Sequence, residues 1–334
     1  MIFTTFSRSA LLFPLVLWDM SVFAIPVAVC EQQASAKVSL VGLVSDAPSL
    51  ENLFIRDTGD ILVTSTRSST LFQVSPSNLY SPLAIGEIPG YTGLLGIAEM
   101  EKDIFYVVAS NLTETSYSNA VWQVDLRDGA EPRSGSNSTA RISHVADFAS
   151  AEQLNGMTRL SPSDADHLLL SDSANGTITK LNVRTGLAEV ILNDPTMQPL
   201  SSGLGIGVNG IRTLGSKLFF TNLDQKVFAS IPISPAGLAT GPAEILATNI
   251  TFQDDFALSP CGTRAWIATN GPMEIFEVDI LKKAKRIRAT SPFLGSSSSV
   301  AASFANSSQQ LYVTGALAIG NSSQGSVARI DLAS

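Results

Sequence analysis

Six residues open a phrase that recurs along the chain: Glu51, Leu95, Asn155, Asn209, Asp254 and Ser298. Each begins a short strand-like run, as in Glu51-Asn52-Leu53-Phe54, Asn155-Gly156-Met157-Thr158, Asn209-Gly210-Ile211-Arg212 and Asp254-Asp255-Phe256-Ala257. Glu51, Asn155, Asn209 and Asp254 carry carboxylate or amide oxygens, the donors that hard cations such as Ca²⁺ prefer. Brought together, they would hold a divalent cation whose charge the two acids match. The competing reading is local, because Asn and Asp also begin strands by satisfying turn backbone.

A second set could donate hydrogen bonds. Thr66, Arg67, Asn222 and Asn270 follow strand-like phrases and fall on the same side as the six opening residues. Donors aimed at a carbonyl oxygen lower the barrier to any reaction that builds charge there. Arg67 is the strongest candidate, as a lone cation near a channel mouth; the alternative is a surface Arg paired with a carboxylate. Tyr91, Tyr117, Phe252 and Phe293, with Tyr80 and Pro199, stand in the connections leading to that side. They would line a site for a small apolar substrate, or simply pack the loops down.

Other chemistries find little support. The two histidines, His144 and His167, sit in no nucleophile motif, and no Gly-x-Ser-x-Gly elbow exists. This argues against a Ser-His-Asp hydrolase or a histidine-dyad lactonase. Gly203-Leu204-Gly205-Ile206-Gly207 precedes a strand rather than a helix, so it is no phosphate loop.

The elements that must position these residues come from two further repeated phrases. One is a pair of apolar residues and a small one: Leu62-Val63-Thr64, Val107-Val108-Ala109, Leu169-Leu170-Ser171, Phe219-Phe220-Thr221, Ile267-Ala268-Thr269 and Tyr312-Val313-Thr314. The other alternates apolar with polar, as in Leu71-Phe72-Gln73-Val74 and Ile275-Phe276-Glu277-Val278. The spacing of 48 to 57 residues between copies is that of propeller blades built from short strands. The expectation is an all-β fold, a six-bladed β-propeller with a four-stranded antiparallel sheet in each blade. Residues 25–334 would form it as a single domain, with 37–45 able to supply a closing strand.

With 334 residues, 45% hydrophobic and only 15% charged, the chain can bury a large core. Its net charge of −8 argues against nucleic acid or anionic membrane as a partner. Residues 1–24 read as an export signal: Arg8, then an apolar run from Ala10 to Trp18, then Val22 and Ala24 at a cleavage site. The run is too short for a membrane span, which takes about 20 residues. Six sequons, at Asn111, Asn137, Asn175, Asn249, Asn306 and Asn321, agree with passage through a secretory lumen or secretion as a glycoprotein. In that compartment Cys30 and Cys261 could pair, or remain two separate thiols. Nothing in the pattern sets an oligomeric state, and a monomer is expected.

The sixfold pattern and its ring resemble the senescence-marker-30, gluconolactonase and luciferin-regenerating group of six-bladed propellers. That resemblance implies a divalent metal in the central channel: Glu51 matches the first-strand Glu, Asn155 the Asn near metal-bound water, Asn209 the Asn ligand, and Asp254 the ligand and catalytic carboxylate. The chain departs from it at Glu51-Asn52-Leu53-Phe54-Ile55, where that group has Glu-Gly-Pro-x-Trp, and at Asp255, where it has Gly. The Glu-Asn-Leu opening, the Leu-Val-Thr strand and the Asp-Asp-Phe-Ala phrase are instead similar to secreted fungal hetero-Diels–Alderases of tropolone–sesquiterpene biosynthesis. The implied reaction closes a dihydropyran ring between a quinone methide and a terpene alkene, without a cofactor, by positioning and hydrogen bonding. The alternative is a metal-dependent lactonase, and beyond that a non-catalytic binding propeller.

Overall fold

Every repeat becomes one four-stranded antiparallel sheet, and there are six of them. The computed structural model describes residues 36–113, 116–127, 140–304 and 309–332, and the side chains of 113–117 lie outside that description. Blade one runs from the axis outward as Leu53–Ile55, Ile61–Ser65, Ser68–Val74 and Leu83–Glu87. The apolar-apolar-small phrase is the second strand of each blade and the alternating phrase is the third. Register pairs Val63 with Phe72, Val107 with Trp122, Leu170 with Thr179 and Ile267 with Phe276.

The second strands are buried on both faces, which is why they read as continuous apolar runs; Ile61–Ser65 is buried throughout. Their side chains fill six cores, each lying between neighbouring blades. One joins Leu95, Val108 and Val121 to Leu154, Met157 and Leu170; another joins Tyr312 and Val327 to Leu53, Val63 and Phe72. Each fully buried Leu, Ile, Val or Phe contributes about 1.5–3 kcal/mol.

The innermost strands are Leu53–Ile55, Gly93–Glu101, Leu154–Arg159, Val208–Leu214, Gln253–Leu258 and Ser299–Ser303. Each touches the next in a closed cycle, so the ring is complete. Lys37–Val44 closes it as the outer strand of blade six, paired antiparallel with Ser322–Leu332. The expected closing strand is therefore in place, and it leaves only short edges exposed.

The innermost strands all begin on one face, here called the upper face, and end on the lower one. The second-to-third-strand hairpins turn on the upper face, and two of them extend further than the rest. These are Ile104–Thr113 with Ser116–Asp125 in blade two, and Gln309–Ile319 with Ser322–Leu332 in blade six. Asn111 and Asn321 lie on these extensions. Tyr80 is a correction to the expected face. It follows a third strand, which ends below, and its hydroxyl joins Asp60 and Gln73 in a lower-face network.

The segment 1–24, Cys30, and with it any Cys30–Cys261 pairing, Asn137 and Asn306 fall outside the described residues. Among the described residues no helix is long and apolar enough to cross a membrane. The only helical turns there are Pro195–Met197 and Pro292–Leu294, each capped by the preceding Asp194 or Ser291 side chain.

Candidate axial site

Four of the six ring residues sit where the innermost strands bulge. Register slips between Leu94 and Ile97, Leu154 and Met157, Val208 and Ile211, and Gln253 and Phe256. The slipped pairs are Leu95-Gly96, Asn155-Gly156, Asn209-Gly210 and Asp254-Asp255. A bulge re-aims a side chain out of the ladder. The glycines let the strands close up: a Cβ on Gly156 would lie 2.5 Å from the Asn209 carbonyl oxygen.

The small residue of the second strand fastens this arrangement. The Ser171 hydroxyl accepts the Gly156 N–H at 2.8 Å within its blade and donates to the Asn209 carbonyl at 2.6 Å in the next. Thr64 likewise accepts from Asn52 N–H and donates to the Leu95 carbonyl. Thr221 accepts from Gly210 N–H and donates to the Asp254 carbonyl. Thr314 donates to the Glu51 carbonyl, across the seam that joins blade six to blade one. Thr269 departs from this pattern, donating to Pro272 and Glu274 within its own hairpin, and the Asp255 N–H to Ser298 carbonyl bond takes over there. Ala109 carries no hydroxyl.

Four blades join in one polar arc, deeply buried apart from Asn270, and a fifth, blade three, carries the buried Asn155 at the equivalent bulge. Asn209 Nδ2 donates to Asp254 Oδ1 at 2.8 Å. Asn270 Nδ2 donates to Asp254 Oδ2 at 3.2 Å and reaches Ser298 Oγ at 3.5 Å. Ser298 in turn hydrogen bonds to the Glu51 carboxyl. Asn155 Oδ1 and Asn209 Oδ1 are buried with no hydrogen-bond partner. Leu95, in blade two, turns instead into an apolar core.

Asp254, not Asp255, belongs to this arc. The Asp255 carboxylate pairs with Arg212 at 2.6 Å and accepts from Ser299 Oγ at 2.7 Å, between blades. Burial pushes the Asp254 carboxyl up to about 7, further raised by the charge of Asp255 and opposed by the Asn270 and Asn209 hydrogen bonds. Burial raises Glu51 well above the usual carboxylate range as well, reinforced by the charges of Asp254 and Asp255. At neutral pH the pair therefore holds a proton that isolated carboxylates would release.

The expected donors separate. Asn270 is exposed and joins the arc. Asn222, at the matching position one blade earlier, is fully buried. Its Nδ2 donates to the Thr196 and Gln198 carbonyls at 2.9 Å, and its Oδ1 accepts the Gln225 N–H. It holds the 195–198 turn in place. Thr66 is half-buried in the blade-one hairpin. Arg67, beside it, is exposed and forms no ion pair among the described residues.

Among the aromatics, Phe252 is 44% exposed, its left-handed backbone brings its carbonyl to Asn270 N–H at 2.8 Å, and its ring lies over Gly271. Phe293 is 38% exposed in the turn before blade six. Tyr91 lies toward the outer strands instead, with its ring edge-on to Trp122 and its hydroxyl 3.5 Å from Asp147. The Tyr117 side chain lies outside the described residues.

Of the sequons, Asn249 and Asn321 are exposed, whereas the side-chain nitrogens of Asn111 and Asn175 are engaged in hydrogen bonds. His144 stacks edge-on against Trp122, and His167 pairs with Asp164 on the lower face. The glycine-rich loop wraps an internal anion: the N–H groups of Leu204, Gly205 and Ile206 all donate to the Asp224 carboxylate. Ser298 is the arc residue that sequence reasoning undervalued; its equivalence to Glu51 and Asp254 in the repeat was the signal that could have found it.

Fold and axial arc together define a six-bladed propeller with a buried acidic centre. No family model matches the sequence. The chain is 26% identical over 246 residues to a Sarocladium schorii protein that carries the provisional name hetero-Diels-Alderase asR5, covering 64% of this chain and 59% of that one. A Phoma sp protein with the same provisional description is 25% identical over 234 residues, covering 63% and 66%. The chain thus spans less than two thirds of the length of either relative.

Solved structures share the fold. A calcium-binding protein, regucalcin, from Agrobacterium tumefaciens superposes with a TM-score of 0.60 at 15% identity, covering 86% of this chain and 95% of that one. A Xanthomonas campestris gluconolactonase gives a TM-score of 0.57 at 10% identity, covering 89% and 90%.

Proposed function

We propose that this protein is a cyclase of the hetero-Diels–Alderase type, closing a dihydropyran ring between a quinone methide and a terpene alkene. The observation that carries the reading is the name shared by both curated relatives, over a stretch of nearly two thirds of this chain. In such a reaction two new bonds form and no atom is lost, so the protein needs to supply geometry and a hydrogen bond. Holding two reactants in near-attack geometry is worth an effective molarity of roughly 10⁵ M or more.

The axial arc supports the second requirement. A carboxylic acid kept neutral by burial can donate to the carbonyl oxygen of the heterodiene, whose charge grows as the ring closes. Glu51 is the acid in this role, with Ser298 hydrogen bonded to its carboxyl and the charge of Asp254 nearby. Asn270 and Arg67, both exposed, would serve as further donors, and the exposed Phe252 and Phe293 rings would offer apolar contact for the alkene.

One observation favours a second reading, a divalent-cation-dependent lactonase or related hydrolase: the buried, partnerless Oδ1 atoms of Asn155 and Asn209, the latter on a side chain bonded to Asp254. Glu51, Asp254, Asn155 and Asn209 fit a hard cation by donor chemistry. Among the described residues no three acidic, imidazole or thiol groups converge, so the amides would have to complete the set. A bound cation would polarise a substrate carbonyl, and the arc residues would orient it.

The experiment supplies an ortho-quinone methide, generated in the assay, with humulene, and times dihydropyran formation against the uncatalysed background. Acceleration that falls at least tenfold in Glu51→Gln is expected. No acceleration, with rapid hydrolysis of simple lactones in the presence of Ca²⁺, would favour the second reading.

A further inference from the structure

The lower half of the channel has its own cavity, of about 520 Å³, walled by the ends of all six innermost strands. It lies two to five residues further along those strands than the acidic arc, a distance on the order of 10 Å. Its wall is mostly apolar, with Ile55, Ile97, Met157, Leu214, Leu258 and Val300 among the lining residues, one from each blade. Neither the proposed cyclisation nor the cation reading uses this space.

Three charged side chains reach the wall: Glu99, Arg159 and Arg212. Arg212 is neutralised by Asp255 at 2.6 Å and lies over the Phe256 ring. Glu99 accepts the Asp103 N–H at 2.8 Å, and burial raises its carboxyl. Arg159 differs from both. Its terminal nitrogen donates to two neutral carbonyls, Pro162 and Asp164, both at 2.8 Å. Its Nε is buried with no acceptor, and no carboxylate pairs with it among the described residues. A guanidinium held in a fixed orientation at an apolar wall, without a counter-charge, is a site for an anion.

We propose that this lower cavity is a second binding site, taking an apolar small molecule with a single carboxylate or similarly compact anionic group. The apolar body would fill the space between the strand ends, and the anion would meet Arg159. Ligand cavities of a few hundred Å³ combine an apolar lining with a small number of fixed polar groups in this way.

Calorimetric titration of the purified protein with 2-naphthoate and with its neutral counterpart, 2-naphthamide, tests this. Saturable one-to-one binding of the carboxylate is expected, with the amide at least tenfold weaker. Arg159→Gln should abolish that preference. Ala301→Trp, which fills the cavity from blade six, should remove binding of both; it also covers the case in which the Arg159 variant does not fold. Lack of saturable naphthoate binding overturns the proposal, as does equal affinity for the two probes. A preference that survives Arg159→Gln but disappears in Arg67→Gln overturns it too, by placing the anion at the upper mouth.

Discussion

The Ser171 hydroxyl stands between two blades, accepting the Gly156 N–H and donating to the Asn209 carbonyl at 2.6 Å. One small side chain thus sets the position of a neighbouring blade's site residue. The same bond recurs from Thr64, Thr221 and Thr314.

Replacing such a hydroxyl by an apolar group leaves a buried N–H and a buried carbonyl with fewer partners. Thr221→Val, nearly the same shape, should cost about 1–3 kcal/mol in denaturant unfolding. It should also slow the proposed reaction, since the Asp254 backbone loses its tether. Unchanged stability would show that water replaces the bond.

The two adjacent acids should behave in opposite ways. Asp254→Asn should lower activity at least tenfold while leaving stability at neutral pH equal or higher, since it removes a buried charge. Asp255→Ala strands Arg212 and should cost about 2–3 kcal/mol, the buried-pair value reduced because Arg212 is partly exposed. Activity assays and denaturation curves on both variants check the contrast.

The contribution of Asp254 to stability should fall as pH rises through the acidic range. The Asp254 carboxyl lies at about 7 against an ordinary 3.8, so between those values the folded state binds more protons than the unfolded one. Unfolding free energy then decreases with rising pH across that window and levels off above it. Glu51, raised in the same direction, adds to the slope. Melting temperatures of the wild type and Asp254→Asn between about pH 4 and pH 8 test this; a slope as steep in the variant would assign the effect elsewhere.

The equivalent asparagines should also diverge. Asn222→Ala removes the support of the 195–198 turn and should show mainly as lost stability, about 1–3 kcal/mol. Asn270→Ala, exposed and bonded to Asp254, should show mainly as lost turnover. Parallel kinetics and unfolding measurements separate the two.

Closing the ring relies on the outer strand at the start of the described chain. Val44→Asp places a charge at a 2% exposed position in the core between blades six and one. Loss of a single cooperative melting transition is expected in calorimetry. A melting curve like the wild type's would show that Lys37–Val44 contributes little to closure.

The sequence by itself determined the blade count, the second and third strands of each blade and the strand that closes the ring. Repetition makes this legible, because equivalent positions in equivalent blades must lie at equivalent radii, and each apolar run has only the neighbouring blade in which to bury itself. Tertiary structure decided which of Asp254 and Asp255 faces the axis, since the choice turns on a one-residue bulge and on Arg212, 43 positions upstream of its partner. It also decided that Asn222 holds a loop while Asn270 reaches the acids, because the 195–198 turn folds over one while the other stays exposed among the described residues. Tyr80 lay on the unexpected face because its position follows from strand direction, not from residue type. The lower cavity was invisible in the sequence: its walls are strand ends from six blades, and only the closed ring brings them together.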